Sequence, residues 1–158
     1  MMNKVPASVW RNPVHFAAFG FGSGAAPVAP GTFGTLAAVL LYLPLQHLHW
    51  FSYLLVIVVA FVVGVAICER TSRDIGVHDH GGIVWDEFVG YWLAMLFAPQ
   101  GWGWIVTGFV LFRLFDIVKP WPISVLDKQV KGGLGIMVDD VVAGLYALLC
   151  LQVLAWFF

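Results

Sequence analysis

Charge is what this sequence has least of. Only 8 of its 158 residues are Lys or Arg and 9 are Asp or Glu, so 11% are charged, against about 25% in ordinary soluble domains. A net charge of −1 excludes attraction to nucleic acid by bulk electrostatics. Cysteine is almost absent. Cys68 and Cys150 lie in or beside apolar runs, where a thiol packs as a small hydrophobe, so neither a disulfide framework nor a catalytic thiol is expected. No serine stands in a nucleophile elbow, and no cysteine sits in a phosphate-binding loop. Walker loops and the dinucleotide fingerprint are missing as well. There is no low-complexity segment or long linker. The apolar patch from Val14 to Phe21 is short and runs into glycines, so no cleavable signal peptide is expected.

What fills the chain is hydrophobic sequence: 61% of residues, 8 of them Trp, with a mean hydropathy of +0.89. That composition predicts an all-α, polytopic membrane bundle forming a single domain over residues 1–158. Five membrane-embedded helices are expected: Thr32 to about Leu48, Phe51 to Cys68, Phe88 to Phe97, Trp104 to Phe115, and Val141 to Phe158. The third and fourth are short for a full crossing. This threading puts Lys4, Arg11, Arg70, Arg73, Arg113, Lys119, Lys128 and Lys131 on one side, which the positive-inside rule makes cytoplasmic. The opposite turns, Gln46–Trp50 and Pro99–Gly103, contain no charged residue. Trp50, Phe51, Trp102 and Trp104 fall at that outer boundary, where amphipathic rings favour the headgroups.

The scarce polar residues gather on the basic side. Two stretches nearly repeat: Ile83-Val84-Trp85-Asp86-Glu87-Phe88-Val89-Gly90 and Ile136-Met137-Val138-Asp139-Asp140-Val141-Val142-Ala143-Gly144. Adjacent acids beside apolar sequence are costly to bury without a strong partner. Two readings are open. The four acids open helices three and five and gain about 0.3–1 kcal/mol each from the helix dipole, or they hold a divalent cation, for which hard oxygen ligands without thiolates suit Mg²⁺ or Mn²⁺. The glycine-rich segments Gly20–Gly24 and Pro30–Thr35 are similarly double. They offer backbone amides, Gly24 among them, and the hydroxyls of Ser23, Thr32 and Thr35 to a phosphate, or they simply let helices pack closely. Glu69, Arg70, Arg73, Asp74, His78, Asp79 and His80 are expected to form one loop, with Asp79 a ligand or ligand support. Lys119, leaving helix four through Pro120-Trp121-Pro122, is placed to meet an anion or to snorkel. Arg113 and Asp116 share a helix face and can pair. Asp127, Lys128 and Lys131 read as a solvated or headgroup-facing surface.

Four runs together resemble the phosphatidylglycerophosphatase A family: GFGSG with PGTFGTL, HDHGGIVWDEFVG, FRLFDIVKPWPI, and GGLGIMVDDVVAG. The resemblance implies a Mg²⁺-dependent integral membrane phosphatase. It would convert phosphatidylglycerophosphate to phosphatidylglycerol and phosphate at the cytoplasmic face of a bacterial inner membrane. Asp86, Glu87, Asp139 and Asp140, assisted by Asp79 and Asp116, would hold the metal and carry catalysis. Ser23, Gly24, Thr32, Thr35, Arg113 and Lys119 would bind the phosphate. The implied partners are the phospholipid substrate and the bilayer, with no obligate protein partner. The rival readings are a transporter with an acidic ion site, a phosphotransferase, and a non-enzymatic assembly factor. The phosphotransferase lacks its Asp-Gly…Ala-Arg…Gly…Asp…Asp signature here, and the assembly factor leaves the acid pairs unexplained.

Overall fold

The structure, a computed structural model, describes residues 4–158. Among the described residues seven α-helices follow one another: α1 Pro13–Ala18, α2 Pro30–Leu45, α3 Trp50–Ile75, α4 Trp85–Ala94, α5 Trp102–Val118, α6 Ile123–Gln129 and α7 Gly132–Phe157. Short 3-10 turns cover Ala7–Trp10 and Ser23–Ala25. No strand occurs among the described residues.

The five long helices expected from hydropathy are present, with shifted ends. α3 runs seven residues past Cys68, so Glu69, Arg70, Arg73 and Asp74 are helical rather than part of a loop. Two pairs spaced i,i+4 support the extra turns: Arg73–Glu69 at 2.7 Å and Arg70–Asp74 at 3.3 Å. Gly76, in the left-handed conformation at φ 72°, ends the helix. α7 begins nine residues before Val141, through three glycines of weak helix propensity. Tertiary contact outweighs that propensity. A Cβ on Gly133 would overlap the Val65 carbonyl oxygen of α3, and one on Gly135 the Val130 carbonyl oxygen. α1, missed by hydropathy, starts at an Asn-Pro pair, the Asn12 side chain accepting from the Val14 N–H at 2.9 Å.

Among the described residues, α3 and α7 are the two helices long and apolar enough to cross a bilayer. At 1.5 Å per residue each is about 39 Å long, while the ten residues of α4 reach only about 15 Å. Among the described residues, two helices are thus candidate spans by length and composition, and the other three of the five expected membrane-embedded helices are shorter. Stripes at a spacing of four, Val106–Val110–Leu114 on α5 and Leu145–Leu149–Val153 on α7, remain exposed. Contiguous apolar faces of this kind suit lipid contact.

The long helices alternate in direction, so α2 and α4 begin, and α3 and α5 end, where α7 begins. α4 is the central element: it packs on α2, α3, α5 and most extensively on α7. The N-terminal segment is clipped to the end of α3 through buried His15, which meets Ser8 Oγ at 2.9 Å and Asp74 Oδ2 at 3.0 Å. At the opposite end lie Trp50, Phe51, Phe97 and Trp102, all exposed.

Candidate active site

The near-repeat in the sequence is a helix crossing. A Cβ on Gly144 would fall on the Gly90 carbonyl oxygen, and one on Gly90 would meet the Asp140 carbonyl oxygen at 2.8 Å. Glycine on both helices thus lets α4 and α7 touch backbone to backbone. About one turn back from that contact on each helix stand the acid pairs, Asp86-Glu87 and Asp139-Asp140. Helix geometry carries all four toward one point.

Two groups of acids converge there. Ligand oxygens of Asp86, Asp139 and Asp140 lie within 4.8 Å of one another, and so do those of Glu87, Asp116 and Asp140. Asp140 belongs to both. Glu87, Asp139 and Asp140 are buried, whereas Asp86 and Asp116 keep partial exposure. The reading of Asp139 and Asp140 as helix-start acids is corrected: they stand two turns inside α7, beyond the reach of its terminal dipole. Asp86 and Glu87 do occupy the first turn of α4.

Two cations face these acids. Arg113 Nη1 donates to Glu87 Oε2 and to Asp116 Oδ2. Lys119 Nζ donates to Asp139 Oδ2 at 2.8 Å and Asp127 Oδ1 at 2.9 Å. Lys119 stands at the C-cap of α5 in the left-handed conformation, just before Pro120. Burial pulls its ammonium pKa down, but the bonds to Asp139 and Asp127 outweigh that and raise it, keeping it charged. With all five acids of the two groups ionised, Arg113 and Lys119 leave three negative charges unbalanced. Three carboxylate oxygens, Asp86 Oδ1, Asp139 Oδ1 and Asp140 Oδ2, are buried with no hydrogen-bond partner. Unpaired acceptors of this kind are rare in folded proteins. The all-oxygen donor set, its excess negative charge and its free lone pairs fit one or two hard divalent cations.

The remaining predicted residues fall into two sets. Thr35 is brought to the site, but its hydroxyl donates to Glu87 Oε2 at 2.8 Å and also reaches Gly31 O at 2.9 Å. Thr32 lies in the first turn of α2, half-buried. Gly31 matters sterically, since a Cβ there would overlap Glu87 Oε1 and lie 3.0 Å from the Arg113 guanidinium. Ser23 and Gly24 make other contacts. Ser23 Oγ donates to Gly20 O at 2.8 Å, and a Cβ on Gly24 would overlap Gly82 O. Asp79 is exposed in the loop after α3 and belongs to neither acid group. Loss of water around its carboxyl raises its pKa; Lys119 opposes this, and Asp127 and Asp116 add to it. Both neighbouring histidines fasten backbone: His80 Nδ1 accepts from Gly82 N at 3.0 Å, and His78 Nε2 from Gly132 N at 2.9 Å. Asp127, read from the sequence as solvated, is instead the second anchor of Lys119. A Lys-x₇-Asp spacing across two prolines gave no periodic signal for that pairing. Cys68 is a packing residue, its Sγ 4.0 Å from Met137 Sδ, and both cysteines are free.

Comparison with known proteins identifies the family of the chain. The family model described as Phosphatidylglycerophosphatase A matches residues 16–155. The chain belongs to the phosphatidylglycerophosphatase A family. All the residues of the two acid groups fall inside the matched span. Phosphatidylglycerophosphatase A of Escherichia coli (strain K12) is 50% identical over 134 residues, covering 84% of this chain and 78% of that protein. Its namesake from Haemophilus influenzae is 46% identical over 140 residues, covering 87% and 86%. A candidate phosphatidylinositol-3-phosphatase of Bacteroides thetaiotaomicron is 39% identical over 145 residues, covering 87% and 90%. No solved structure matches the chain. Within the phosphatidylglycerophosphatase A family, then, the α4–α7 crossing is the feature of this member that concentrates its acids.

Proposed function

We propose that the protein is a Mg²⁺-dependent phosphatidylglycerophosphatase. It hydrolyses the terminal phosphomonoester of phosphatidylglycerophosphate to phosphatidylglycerol and inorganic phosphate. The observation that carries this reading is the pair of acid groups sharing Asp140, with three buried oxygens unpartnered, in a chain of this family. The relatives named above are a phosphatidylglycerophosphatase or a phosphoinositide phosphatase by description, and both descriptions are of lipid phosphomonoesters.

Asp86, Asp139 and Asp140 would hold one ion, and Glu87, Asp116 and Asp140 a second, with Asp79 at the exposed margin. When bound, Mg²⁺ supplies charge neutralisation at the phosphoryl oxygens and a lowered pKa for water. The protein's own groups do the rest. Thr35 and Arg113 fix the Glu87 carboxylate, and Lys119 fixes that of Asp139. Both Arg113 bonds to acids leave from Nη1, so Nη2 remains as a donor for substrate oxygens. Thr32 and the amides of the first turn of α2 stand beside it. A carboxylate of the cluster takes a proton from the attacking water and returns it to the departing lipid oxygen, which leaves as the hydroxyl. Water's oxygen ends on phosphorus as the ester P–O bond breaks.

The charged end of the bundle faces the cytoplasm of a bacterial inner membrane in this reading, with five helices embedded and all basic residues on that side. A headgroup reaches the acids without its chains leaving the bilayer. Purified protein should release phosphate from phosphatidylglycerophosphate in mixed micelles with Mg²⁺ and not with excess chelator. Phosphate release that is indifferent to divalent cations would refute the metal site. Flux of ions into liposomes without any phosphate release would favour the transporter reading instead.

A further inference from the structure

A cleft of about 480 Å³ separates α3 from α4 on the outer face of the bundle. Leu55, Val59, Ala60 and Val63 of α3 line one wall, and Trp85 and Trp92 of α4 the other. α2 packs on α4 and α5, while α3 packs on α1, α4 and α7, so α4 lies behind both.

We propose that this cleft seats one acyl chain of the phospholipid whose phosphate is hydrolysed at the acid cluster. The proposal rests on the function given above. Three observations select an acyl chain over other occupants. First, the cleft begins at the level of the site: Trp85, at its end nearer the acids, is the residue before Asp86 in the first turn of α4. The Trp85 indole is pinned there by a hydrogen bond from Nε1 to Ala60 O at 2.9 Å and by Phe21 and Phe88, with ring centroids 5.9 and 5.5 Å away. Second, its direction is that of a lipid tail. From Val63 to Leu55 the wall runs along the axis of a membrane-crossing helix for about 12 Å, away from the acids. Third, the lining offers no hydrogen-bonding group. Both indole N–H groups are spent, Trp85 on Ala60 O and Trp92 on Ala38 O at 3.0 Å. A polypeptide laid there would find no partner for its backbone polar groups, whereas a hydrocarbon chain needs none. Leu55, Val59 and Val63 are each about half exposed, so the cleft opens sideways and a chain can enter from the bilayer.

The test fills the cleft without touching the acids. Val59→Trp and Val63→Trp are compared with Val110→Trp on the outward face of α5, a position away from the cleft. Two substrates are used: dioleoyl phosphatidylglycerophosphate, and its deacylated head, glycerophosphoglycerophosphate. The cleft variants should lower kcat/KM for the acylated substrate relative to the head by at least about tenfold, and Val110→Trp should leave that ratio unchanged. As a second measurement, a photo-reactive benzoylphenylalanine at position 59 should cross-link oleoyl substrate more than it cross-links oleoyl phosphatidylcholine at equal concentration. An unchanged ratio, or equal cross-linking of both lipids as expected of ordinary annular lipid, overturns the proposal. Failure of the wild type to release phosphate from either substrate overturns the functional reading instead, and the cross-linking preference is read separately.

Discussion

The two ends of the bundle treat buried polarity in opposite ways. Toward the aromatic end three large polar side chains of the core, Tyr53, Trp92 and Tyr91, each span two helices and find a neutral acceptor. Tyr53 donates to Trp92 O at 2.6 Å, Trp92 to Ala38 O at 3.0 Å, and Tyr91 to Ile105 O at 3.1 Å. The Ala38 and Ile105 carbonyls lie inside their own helices, while the Tyr53 hydroxyl serves Trp92 O in the last turn of α4, so the bonds join α2, α3, α4 and α5 and satisfy these groups. At the acid end five carboxylates share two cations, and three oxygens have no partner at all. An unsatisfied buried acceptor costs about 1–3 kcal/mol, more when charged. One half of α4 therefore holds the fold together, and the other half strains it in the way a ligand site does.

The sharpest way to break this contrast is at Asp140, the acid common to both groups. Asp140→Asn keeps the shape and removes one charge. Activity should fall by about a thousandfold or more, the scale of losing groups that stabilise transition-state charge. The metal-free variant should nevertheless melt no lower than the wild type, because a repulsive charge has gone. Saturating Mg²⁺ at a hundredfold excess over its dissociation constant should stabilise the wild type by about 2.7 kcal/mol, and the variant by much less. Phosphate release and thermal melts in detergent, each with Mg²⁺ and with chelator, measure both halves. Near-normal activity of the variant would show that the acids are not the site.

How much of this was legible beforehand differs between the two ends. Hydropathy located all five long helices, because apolar runs bounded by Pro, Gly and charge are local signals. Their charged ends were misplaced for a physical reason. Glu69 to Asp74 looked like loop by composition, though the i,i+4 pairing of Glu69 with Arg73 and Arg70 with Asp74 was already written in the spacing. The start of the last helix was set at Val141, past the glycines, because the α3 carbonyl that demands glycine at 133 is distant in sequence. The paired acids stood out, since charge is rare here. Their convergence rested on a second element of the same repeat, Gly90 and Gly144, which has meaning only once two helices cross. Thr35 was picked as a hydroxyl near an anion, and the structure puts its hydrogen bond on Glu87.

A smaller perturbation tests the crossing itself. Gly144→Ala adds one methyl group where the Gly90 carbonyl oxygen already lies. α4 must shift away from α7, at a cost of about 1–3 kcal/mol for overpacking. A displacement near 1 Å at the acids should lower kcat by about a hundredfold, with the lipid KM changing less. Thr35→Val should do less again. It removes the neutral donor to Glu87 Oε2 but leaves Arg113 on the same oxygen, so a loss of roughly tenfold or less is expected, as for other groups that orient a ligand. If Gly144→Ala is silent while Asp140→Asn is dead, the acids are held together by something other than the glycine contact.

The least effect on turnover should come from the aromatic end. Tyr53→Phe deletes the hydroxyl that donates to Trp92 O, a carbonyl in the last turn of α4 whose expected helical donor, Leu96 N–H, goes to Leu93 O, so one buried acceptor loses its partner. The expected loss is about 1–3 kcal/mol of stability, the cost of a buried acceptor left without its partner, with activity within about twofold of wild type. Trp92 also forms the lower wall of the acyl cleft, and its indole is held on the other side by Ala38, so losing Tyr53 alone does not free it. A large drop in activity from this distant, conservative change would mean that the two ends are mechanically coupled through α4. A pure change in melting temperature keeps them separate, as their opposite treatment of buried polar groups implies.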